Sequence, residues 1–447
     1  MPCDVPRVLL VNPWIHGFAA YDFWARPLLG LLAIAARLRA GGLRVSWVDC
    51  LDRFHPRLPP GLPRKADGRG AFLRTGLPTP TSLADVTRRY ARYGIDPAWL
   101  AEDLGRLPRP DLVLVGSGMT YGYPGVRETI RHLRAAFPGV PVWLGGIYAT
   151  LCPEHARRFA GADRVFSGPA ETELCRAIAE QTGFSFSGGP PPDHLDAAPW
   201  PAYDLERRIP AVALRASRGC PFACAYCASR LLEPARRLRS PASVVAEIAH
   251  WHRGFGVTDF VLYDDAFLSC PEGHGPAVLE AIAAAGLPVR LHTPNALHAR
   301  GITRETARLL GRAGFVTVRL GVETTDFARR AGLDRKIDAE DFRRAAEALR
   351  AAGYRPPAAG AYLLAGLPGW REEEIVRSID AVHAAGLLPV LAWYSPIPGT
   401  ALWPQALAAS RYDLASDPLY ADPAIVPCRK EPFDWGWITR LKAHLAA

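Results

Sequence analysis

The chain contains two successive runs in which short apolar segments alternate with amphipathic ones. In the first run, up to about residue 185, the predicted strands are 8–11, 45–48, 112–115, 142–144 and 164–166, and a helical stretch covers 27–40. Strands and helices that alternate in this way predict a parallel sheet with helices on both faces. In such a sheet, ligands bind beyond the carboxyl ends of the strands.

The same alternation restarts at residue 209. Six further strands are predicted at 211–216, 259–263, 289–292, 317–321, 360–365 and 389–394, with helices between them, for example at 241–253, 303–313, 338–352 and 371–385. Six strand–helix units predict a partial barrel, because a complete TIM barrel has eight. The predicted fold class is therefore α/β: an N-terminal doubly wound, Rossmann-like domain followed by a partial (β/α)6 TIM-like barrel.

Proline and glycine mark the boundaries between these regions. We predict a first domain at 1–185, a Pro-rich linker at 186–208, a barrel at 209–405 and a tail of unassigned role at 406–447, since consecutive prolines at 190–192 exclude helix and central strand. An insertion at about 53–109 interrupts the first domain, and we expect a lid or a domain contact there. Within it, Ser82 and Asp85 have the spacing of a capping box and predict a helix at 82–93.

Composition narrows the possible partners. The net charge is +9, but only four of the 53 basic residues are lysine, and the arginines are scattered rather than gathered in one stripe. Nucleic acid is therefore not favoured as a partner. The apolar stretch at 27–36 is too short to span a membrane. Nine cysteines, an odd number, without a signal peptide predict a reduced, cytoplasmic protein.

Three of those cysteines lie within eight residues of one another. Cys220, Cys224 and Cys227 can direct three thiolates at one centre, and a closed structural zinc site would need a fourth ligand. The count of three suggests an iron–sulfur cluster with one open iron. Two alternatives stay open: a zinc site completed by Cys270, Cys428 or a histidine, and cysteines that simply pack as small apolar residues.

The segment from Arg218 to Cys227, with the sequence RGCPFACAYC, resembles the signature of the radical S-adenosylmethionine (SAM) superfamily. The resemblance implies that the three cysteines hold a 4Fe-4S cluster. It also implies that SAM chelates the open iron through its amino and carboxylate groups. An electron from the cluster then cleaves SAM and releases a 5′-deoxyadenosyl radical.

The resemblance extends to the other strand ends and implies a set of SAM-binding residues. Tyr226 is expected near the adenine, the pair Asp264 and Asp265 at the SAM ammonium, and Glu323 at the ribose hydroxyls. The full set is Tyr226, Asp264, Asp265, Asn295, Arg319, Glu323, Leu364, Gly366 and Pro396. His292, like Asn295, follows the third barrel strand and is equally well explained as a structural histidine. A packed aromatic, a solvated turn and a surface glutamate remain the alternatives for Tyr226, the aspartate pair and Glu323.

The first domain resembles the cobalamin (B12)-binding domain that precedes the barrel in one large radical SAM class. The residues implied are Asn12, Ser117, Gly118, Gly145, Gly146, Gly168 and Glu171. The chain has no Asp-x-His-x-x-Gly motif, so the cobalamin is expected to be bound base-off, with its nucleotide tail directed toward the glycine turns. The alternative is a Rossmann-like domain that binds no corrin.

The resemblance implies an enzyme that transfers a methyl group to an unactivated carbon of a small-molecule or natural-product-like substrate. An electron donor such as flavodoxin or ferredoxin is the implied protein partner. Two alternatives differ in kind: a cobalamin-independent radical rearrangement or oxidation, and a zinc-organised binding module. The identity of the substrate does not follow from the sequence.

Overall fold

The structure, a computed structural model, describes residues 5–20, 28–186, 195–269, 273–330, 332–431 and 435–446. The chain forms two compact units. The first unit comprises Met1–Ile209 together with Ala415–Ala424, and the second comprises Pro210–Leu414 and Ile425–Ala447. We call Ala415–Ala424 the return segment, because it brings the chain back to the first unit.

The first unit contains eight strands and six α-helices among its described residues. The strands are β1 (Arg7–Asn12), β2 (Ile15–Gly17), β3 (Arg44–Asp49), β4 (Arg74–Gly76), β5 (Ala91–Tyr93), β6 (Leu112–Val115), β7 (Val142–Leu144) and β8 (Arg164–Val165). The helices are α1 (Leu28–Ala40), α2 (Pro97–Gly105), α3 (Tyr123–Ala136), α4 (Ile147–Leu151), α5 (Pro153–Phe159) and α6 (Glu171–Thr182).

Five of these strands form the parallel sheet predicted from the sequence. Its strand order is β3-β1-β6-β7-β8, and every neighbouring pair is parallel. The central strands β1 and β6 are buried almost throughout and are nearly continuous runs of Val and Leu, as expected of a sheet that is covered on both faces. The apolar core includes Leu10, Leu114 and Trp143.

The insertion at 53–109 does not contain the predicted helix at 82–93; that prediction is wrong. Residues Thr81–Leu83 form a single 3₁₀ turn without a side-chain cap, and Ala91–Tyr93 form β5. Strand β5 is the middle strand of a small antiparallel sheet, between β2 and β4. All three β5 residues are buried, so pairing on both edges and burial outweigh the local helix signal.

The second unit contains the remaining elements. Its strands are β9 (Val212–Leu214), β10 (Ser217–Arg218), β11 (Arg237–Leu238), β12 (Asp259–Leu262), β13 (Arg290–His292), β14 (Phe315–Glu323), β15 (Ala359–Ala365) and β16 (Leu388–Trp393). Its helices are α7 (Ser229–Leu232), α8 (Pro241–Phe255), α9 (His274–Ala285), α10 (Arg304–Arg312), α11 (Phe327–Arg330), α12 (Ala339–Ala351), α13 (Glu372–Ala384), α14 (Trp403–Ala409) and α15 (Trp435–Ala446).

Six strands of this unit form one parallel sheet in the order β9-β12-β13-β14-β15-β16. Because consecutive strands are neighbours and parallel, the carboxyl ends of all six lie along one rim, where the loops that carry the predicted site residues begin. The predicted fold class, a doubly wound domain followed by six barrel strands, is confirmed. Within the described residues, no helix is both long enough and apolar enough to cross a bilayer.

The predicted linker and tail lie partly within these units. Positions 187–194 fall outside the described residues, and 195–209 belong to the first unit. In the tail, the return segment packs in the first unit: the Tyr123 hydroxyl donates to Asp417 at 3.1 Å, and the Arg88 guanidinium donates to the Ala424 carbonyl at 3.0 Å.

Candidate cofactor sites

The three cysteines predicted to hold the cluster lie on the loop between β10 and α7. All three are free thiols; Cys224 is buried, Cys220 is half-buried and Cys227 is exposed. Gly219 begins the loop with a φ of 79°, and a β-carbon there would lie 2.7 Å from the Ala235 carbonyl oxygen. Only glycine fits this position without strain.

The thiols have the chemistry that an iron–sulfur site needs. Burial raises the pKa of Cys224 to about 11 and also raises the pKa of Cys220, so both are protonated and binding a metal would release protons. The described residues contain no group of three or more His, Cys, Asp or Glu side chains that converges on one point. Three unpaired thiols on one short loop fit the three protein ligands of the cluster.

Tyr226, the aromatic residue of the loop, connects it to the end of β14. Its hydroxyl lies 3.0 Å from Glu323 Oε1 and 3.2 Å from Asp334 Oδ2, and the Lys336 ammonium donates to it at 3.1 Å. Burial and the nearby Glu323 carboxylate raise the pKa of Tyr226 well above its usual range. The hydroxyl is therefore protonated and able to donate.

Glu323, predicted at the SAM ribose, is the last residue of β14. Its φ is 61°, and the β14–β15 register shifts between Gly321 and Glu323. Left-handed backbone at a glutamate is uncommon and occurs where the surrounding structure enforces it. Here it aims the carboxylate at Tyr226 of the cluster loop.

The two aspartates predicted at the SAM ammonium have different surroundings. Asp264 is buried; it accepts from the Ala216 amide at 2.9 Å and from the Ser217 hydroxyl at 2.5 Å. Burial raises its pKa to about 6. Asp264 thus fixes the chain where it leaves β9 for the cluster loop, and both of its oxygens are occupied.

Asp265 is exposed and lies beside the exposed cluster cysteine. It accepts from the Ser229 hydroxyl at 3.3 Å, and the Ser229 amide in turn donates to Cys227 Sγ at 3.4 Å. Of the two carboxylates, Asp265 is therefore the one open to an ammonium group near the cluster.

His292 is the last residue of β13 and Asn295 follows that strand, and both make structural contacts. The Asn295 amide donates to the carbonyls of Tyr263 and Asp264, at 3.2 and 3.4 Å. His292 is buried and contacts the Thr317 hydroxyl at 2.6 Å and Asp259 Oδ1 at 3.1 Å. Its two ring nitrogens are thus both engaged, which agrees with the structural alternative for this histidine.

The remaining predicted SAM residues lie in three places: on β14, on or just after β15, and after β16. Leu364 is buried within β15, Gly366 follows that strand with a φ of 83°, and Pro396 follows β16. Arg319 is not brought to the rim. Its guanidinium donates to the carbonyls of Val318, Pro357 and Ala358, and the last two precede β15. Because Arg319 lies in the middle of β14, its long side chain reaches the opposite, amino-terminal end of the sheet.

Lys336, Asp334 and Arg330 belong to the site but were not predicted from the sequence. Arg330 is fully buried, pairs with Asp334 at 2.9 Å and donates to the Val322 carbonyl. Burial lowers the pKa of Lys336, but Glu323 and Cys224 outweigh it, so that the pKa is raised overall. The sequence feature that could have drawn attention to Lys336 is the scarcity of lysine, since only four lysines occur in the chain.

In the first unit, four of the residues predicted for cobalamin lie together at the ends of β6 and β7. The Ser117 hydroxyl donates to the Gly145 carbonyl at 2.6 Å, and the Tyr148 amide donates to the Gly118 carbonyl at 3.0 Å. Gly146 has a φ of 100°, and a β-carbon there would lie 2.4 Å from the Ser117 carbonyl oxygen. The two turns therefore pack directly against each other.

Gly168, which follows β8, lies with the residues of these two turns, and Asn12 does not. The Gly168 amide donates to Thr150 Oγ1 at 2.9 Å, and Glu171 lies in the first turn of α6. Asn12, at the end of β1, donates to Asp49 at 2.7 Å and lines a separate cavity of about 320 Å³. None of the other residues predicted for cobalamin lines that cavity.

The glycine turns leave open space for a bulky group. A β-carbon added at Gly118, Gly145 or Gly168 would meet no other atom within 4 Å. Exposed backbone without side chains at the carboxyl ends of parallel strands suits a ligand that approaches the main chain closely. The residues present therefore fit the nucleotide tail of a cobalamin.

Two family models match the two regions described above. The model described as "Radical SAM superfamily" matches residues 214–382, which begin in β9 and contain the cluster loop. The chain therefore contains a radical SAM domain. The model described as "B12 binding domain" matches residues 89–178, which contain the glycine turns. The predicted combination of a radical SAM domain with an N-terminal B12-binding domain is thus confirmed. The cofactors that these domains take are a 4Fe-4S cluster, SAM and cobalamin.

Curated relatives align with only part of this radical SAM protein. The anaerobic magnesium-protoporphyrin IX monomethyl ester cyclase of Synechocystis is 27% identical over 61% of the chain and 60% of the cyclase. The hopanoid C-3 methylase of Methylococcus capsulatus is 25% identical over 53% of the chain and 51% of the methylase. The chain therefore spans less than two thirds of the length of these relatives.

Solved structures of similar fold cover nearly the whole chain. The radical SAM methyltransferase TsrM from Kitasatospora setae has a TM-score of 0.65 at 19% identity, over 91% of this chain and 77% of TsrM. The cobalamin-dependent radical SAM enzyme OxsB has a TM-score of 0.57 at 12% identity, over 98% of this chain and 61% of OxsB. At these identities the likeness shows a shared fold.

Proposed function

We propose that this protein is a cobalamin-dependent radical SAM methyltransferase that acts on an unactivated carbon of a small-molecule substrate. The observation that carries the proposal is the presence, on one chain, of a cluster loop in a radical SAM domain and glycine turns in a B12-binding domain. When bound, the cluster and SAM supply a 5′-deoxyadenosyl radical, and the cobalamin supplies a methyl group. The methylase and methyltransferase names of two relatives support the same class.

The residues of the second unit have separate tasks in this proposal. Cys220, Cys224 and Cys227 hold three irons, and the fourth is left for SAM. The exposed Asp265 accepts from the SAM ammonium, and Glu323 accepts from the ribose hydroxyls, because one carboxylate can accept from two neighbouring donors. Asp264 and Asn295 orient these groups through backbone contacts, as supporting residues commonly do around a metal centre.

In the first unit, we propose that the turns at Gly118, Gly145 and Gly168 receive the nucleotide tail. The Ser117 hydroxyl, which already donates to the Gly145 carbonyl, keeps the two turns in register. No Asp-x-His-x-x-Gly motif is present to supply an axial histidine. The cobalt is therefore expected to lack a nitrogen ligand from this domain.

A second candidate function is a radical oxidation or ring closure without methyl transfer. The observation that favours it is the 27% identity to a cyclase. Both candidates share the cluster, SAM and the radical, so the fate of the SAM methyl group distinguishes them.

The test uses protein reconstituted anaerobically with iron, sulfide and hydroxocobalamin, and SAM that carries a deuterated methyl group. Tryptophan, a hopanoid and magnesium-protoporphyrin IX monomethyl ester serve as trial substrates, after the relatives. Methyl transfer predicts a trideuterated product with both S-adenosylhomocysteine and 5′-deoxyadenosine. An unlabelled, oxidised product with 5′-deoxyadenosine alone would replace the first candidate by the second.

The control is a variant in which Cys220, Cys224 and Cys227 are all alanine, with Cys175→Ala as a matched cysteine replacement in the first unit. Wild type and Cys175→Ala should contain about four irons with matching sulfide and should release 5′-deoxyadenosine with dithionite, even without a substrate. The triple variant should do neither. Wild-type protein with one zinc and no iron would contradict both candidates and favour a zinc-organised binding module.

We further propose a flavodoxin- or ferredoxin-type electron donor and a cytoplasmic location. The support is chemical: the cluster needs a low-potential electron, and the seven cysteines among the described residues are free thiols, as in a reducing compartment.

A further inference from the structure

Lys336 places a positive charge between the cluster loop and the residue proposed to bind the SAM ribose. Its ammonium lies 3.1 Å from the Tyr226 hydroxyl and 3.7 Å from Glu323 Oε1. Its side chain is 13% exposed. An ammonium has three protons to donate, and these two acceptors come from two separate chain segments.

The segment that carries Lys336 is fixed on both sides. Asp334 accepts from the Lys336 amide at 3.1 Å and from the Arg330 guanidinium at 2.9 Å. The Ala225 amide of the cluster loop donates to the Leu333 carbonyl at 2.8 Å. Lys336 is therefore held in place by its own segment, and its position is not the result of a flexible side chain folding back.

The choice of lysine is informative in this chain. Arginine accounts for 49 of the 53 basic residues, yet a lysine stands here. The guanidinium of arginine is a planar fork suited to paired oxygens, whereas an ammonium is a compact charge whose three donors point in different directions. A hydroxyl and a carboxylate that approach one point from different segments suit the second geometry.

We propose that Lys336 is a positioning residue that joins the cluster loop to Glu323 and raises the reduction potential of the cluster. The proposal rests on the proposed cluster site. Reduction adds one electron, taken from the external low-potential donor, and breaks no bond in the cluster. A fixed positive charge against Tyr226, which stands between the ligand cysteines Cys224 and Cys227 in the cluster loop, stabilises the reduced form, because hydrogen bonds and charge near the sulfurs set the potential of such clusters.

The experiment compares anaerobically reconstituted wild type with Lys336→Met, Lys336→Gln, Lys336→Arg and the control Lys442→Met, which alters an exposed lysine of the same unit. Iron content and thermal unfolding are measured first. The midpoint potential is then obtained from an EPR-monitored redox titration without SAM, and SAM affinity from equilibrium binding.

We expect equal iron in all variants and a midpoint shifted to more negative values in Lys336→Met and Lys336→Gln. Lys442→Met should keep the wild-type midpoint, and Lys336→Arg, which keeps the charge but not the ammonium geometry, should lie between wild type and the neutral variants. SAM should bind roughly tenfold more weakly to Lys336→Met, since Glu323 loses a charged partner. Loss of iron from both neutral variants, with full iron in Lys336→Arg, would equally support the need for a charge.

Wild-type midpoints in both neutral variants at full iron content would overturn the proposal and leave the proposed function intact. Wild-type protein that binds no iron would overturn both. The two failures are thus distinguishable by the first measurement.

Discussion

At the scale of single residues, Glu323 combines an unusual backbone with an unusual set of neighbours. Its left-handed φ of 61° costs on the order of 1–3 kcal/mol for a residue with a side chain. In return, its carboxylate meets Tyr226 and Lys336. Oε1 takes the contact with Tyr226, which leaves Oε2 as the acceptor for the ribose hydroxyl that we propose.

The first prediction concerns SAM affinity. Glu323→Ala should weaken SAM binding by about 1.5 to 3 kcal/mol, which is the range for a hydrogen bond to a charged group. Iron content should not change, because Glu323 contacts the cluster loop through the Tyr226 hydroxyl and not through a ligand thiol. Equilibrium binding of SAM and iron analysis of the same preparation check both parts.

The matched control is Glu340→Ala, which removes an exposed glutamate from α12 and should leave SAM affinity unchanged. Equal SAM affinity in Glu323→Ala and wild type would remove Glu323 from the SAM site. It would also remove the proposed link through Lys336.

At the scale of elements, the turns after β6 and β7 differ in what they tolerate. Gly146 has no room for a side chain, because a β-carbon would lie 2.4 Å from the Ser117 carbonyl oxygen. Gly145, one residue earlier, has open space around the same position. A side chain at Gly146 would therefore disrupt the fold, and one at Gly145 would only fill the space left for a ligand.

The second prediction follows from this difference. Gly145→Leu should abolish cobalamin retention while the iron content and thermal stability stay at wild-type values. Gly105→Leu, at the end of α2 with open space around it, should retain about one corrin per chain. The readout is the visible spectrum of protein purified with hydroxocobalamin. Cobalamin retention in Gly145→Leu would show that the tail lies elsewhere.

A third prediction concerns the cobalt itself. Because the B12-binding motif histidine is missing, the EPR spectrum of the bound cob(II)alamin should lack the nitrogen superhyperfine splitting that an axial base produces. A clear nitrogen splitting in wild type would mean that a base ligates the cobalt and would contradict base-off binding.

The sheets of both units are predictable from the sequence, and much of the local detail is not. Strands such as β1 and β6 are near-continuous apolar runs that are buried on both faces, so the pattern alone reveals them. Strand β5 is not predictable, because its three residues become a strand only through pairing with β2 and β4.

The same distinction holds for the site. The spacing of the three cysteines and the glycine turns are local signals, readable in one short segment each. Lys336 lies 110 residues from Tyr226 along the chain, and nothing near it in sequence indicates the contact. Arg319 illustrates the reverse case, since a long polar side chain in the middle of a strand can reach either rim, and the sequence does not say which.

At the scale of the whole molecule, the return segment contributes buried groups to the first unit. Asp422 is 2% exposed, and its Oδ1 accepts from the Ala424 amide at 2.8 Å. Burial raises the pKa of Asp422 to about 6. An acid whose pKa is raised on folding binds more protons folded than unfolded between about pH 4 and 6, so its contribution to stability falls as the pH rises through that range.

The fourth prediction follows from this loss of stability with rising pH. Asp422→Asn removes the cost of the buried charge and should stabilise the first unit at pH 7.5, by up to about 3 kcal/mol for a shift of about two pKa units. At pH 4.5 the difference should shrink toward zero. Thermal unfolding at both pH values, with the exposed Asp85→Asn as control, tests this. An equal effect at both pH values would mean that Asp422 does not titrate as described.

The connectivity of the return segment also has a consequence for biosynthesis. The first unit begins at the amino terminus, but its last part, Ala415–Ala424, follows almost the entire second unit in the chain. A ribosome must therefore translate 424 residues before the first unit has all of its parts. Until then, the surface that Asp417 and Asp422 will cover is open to chaperones. A gene fragment that ends at the predicted linker would encode a first unit that can never be completed.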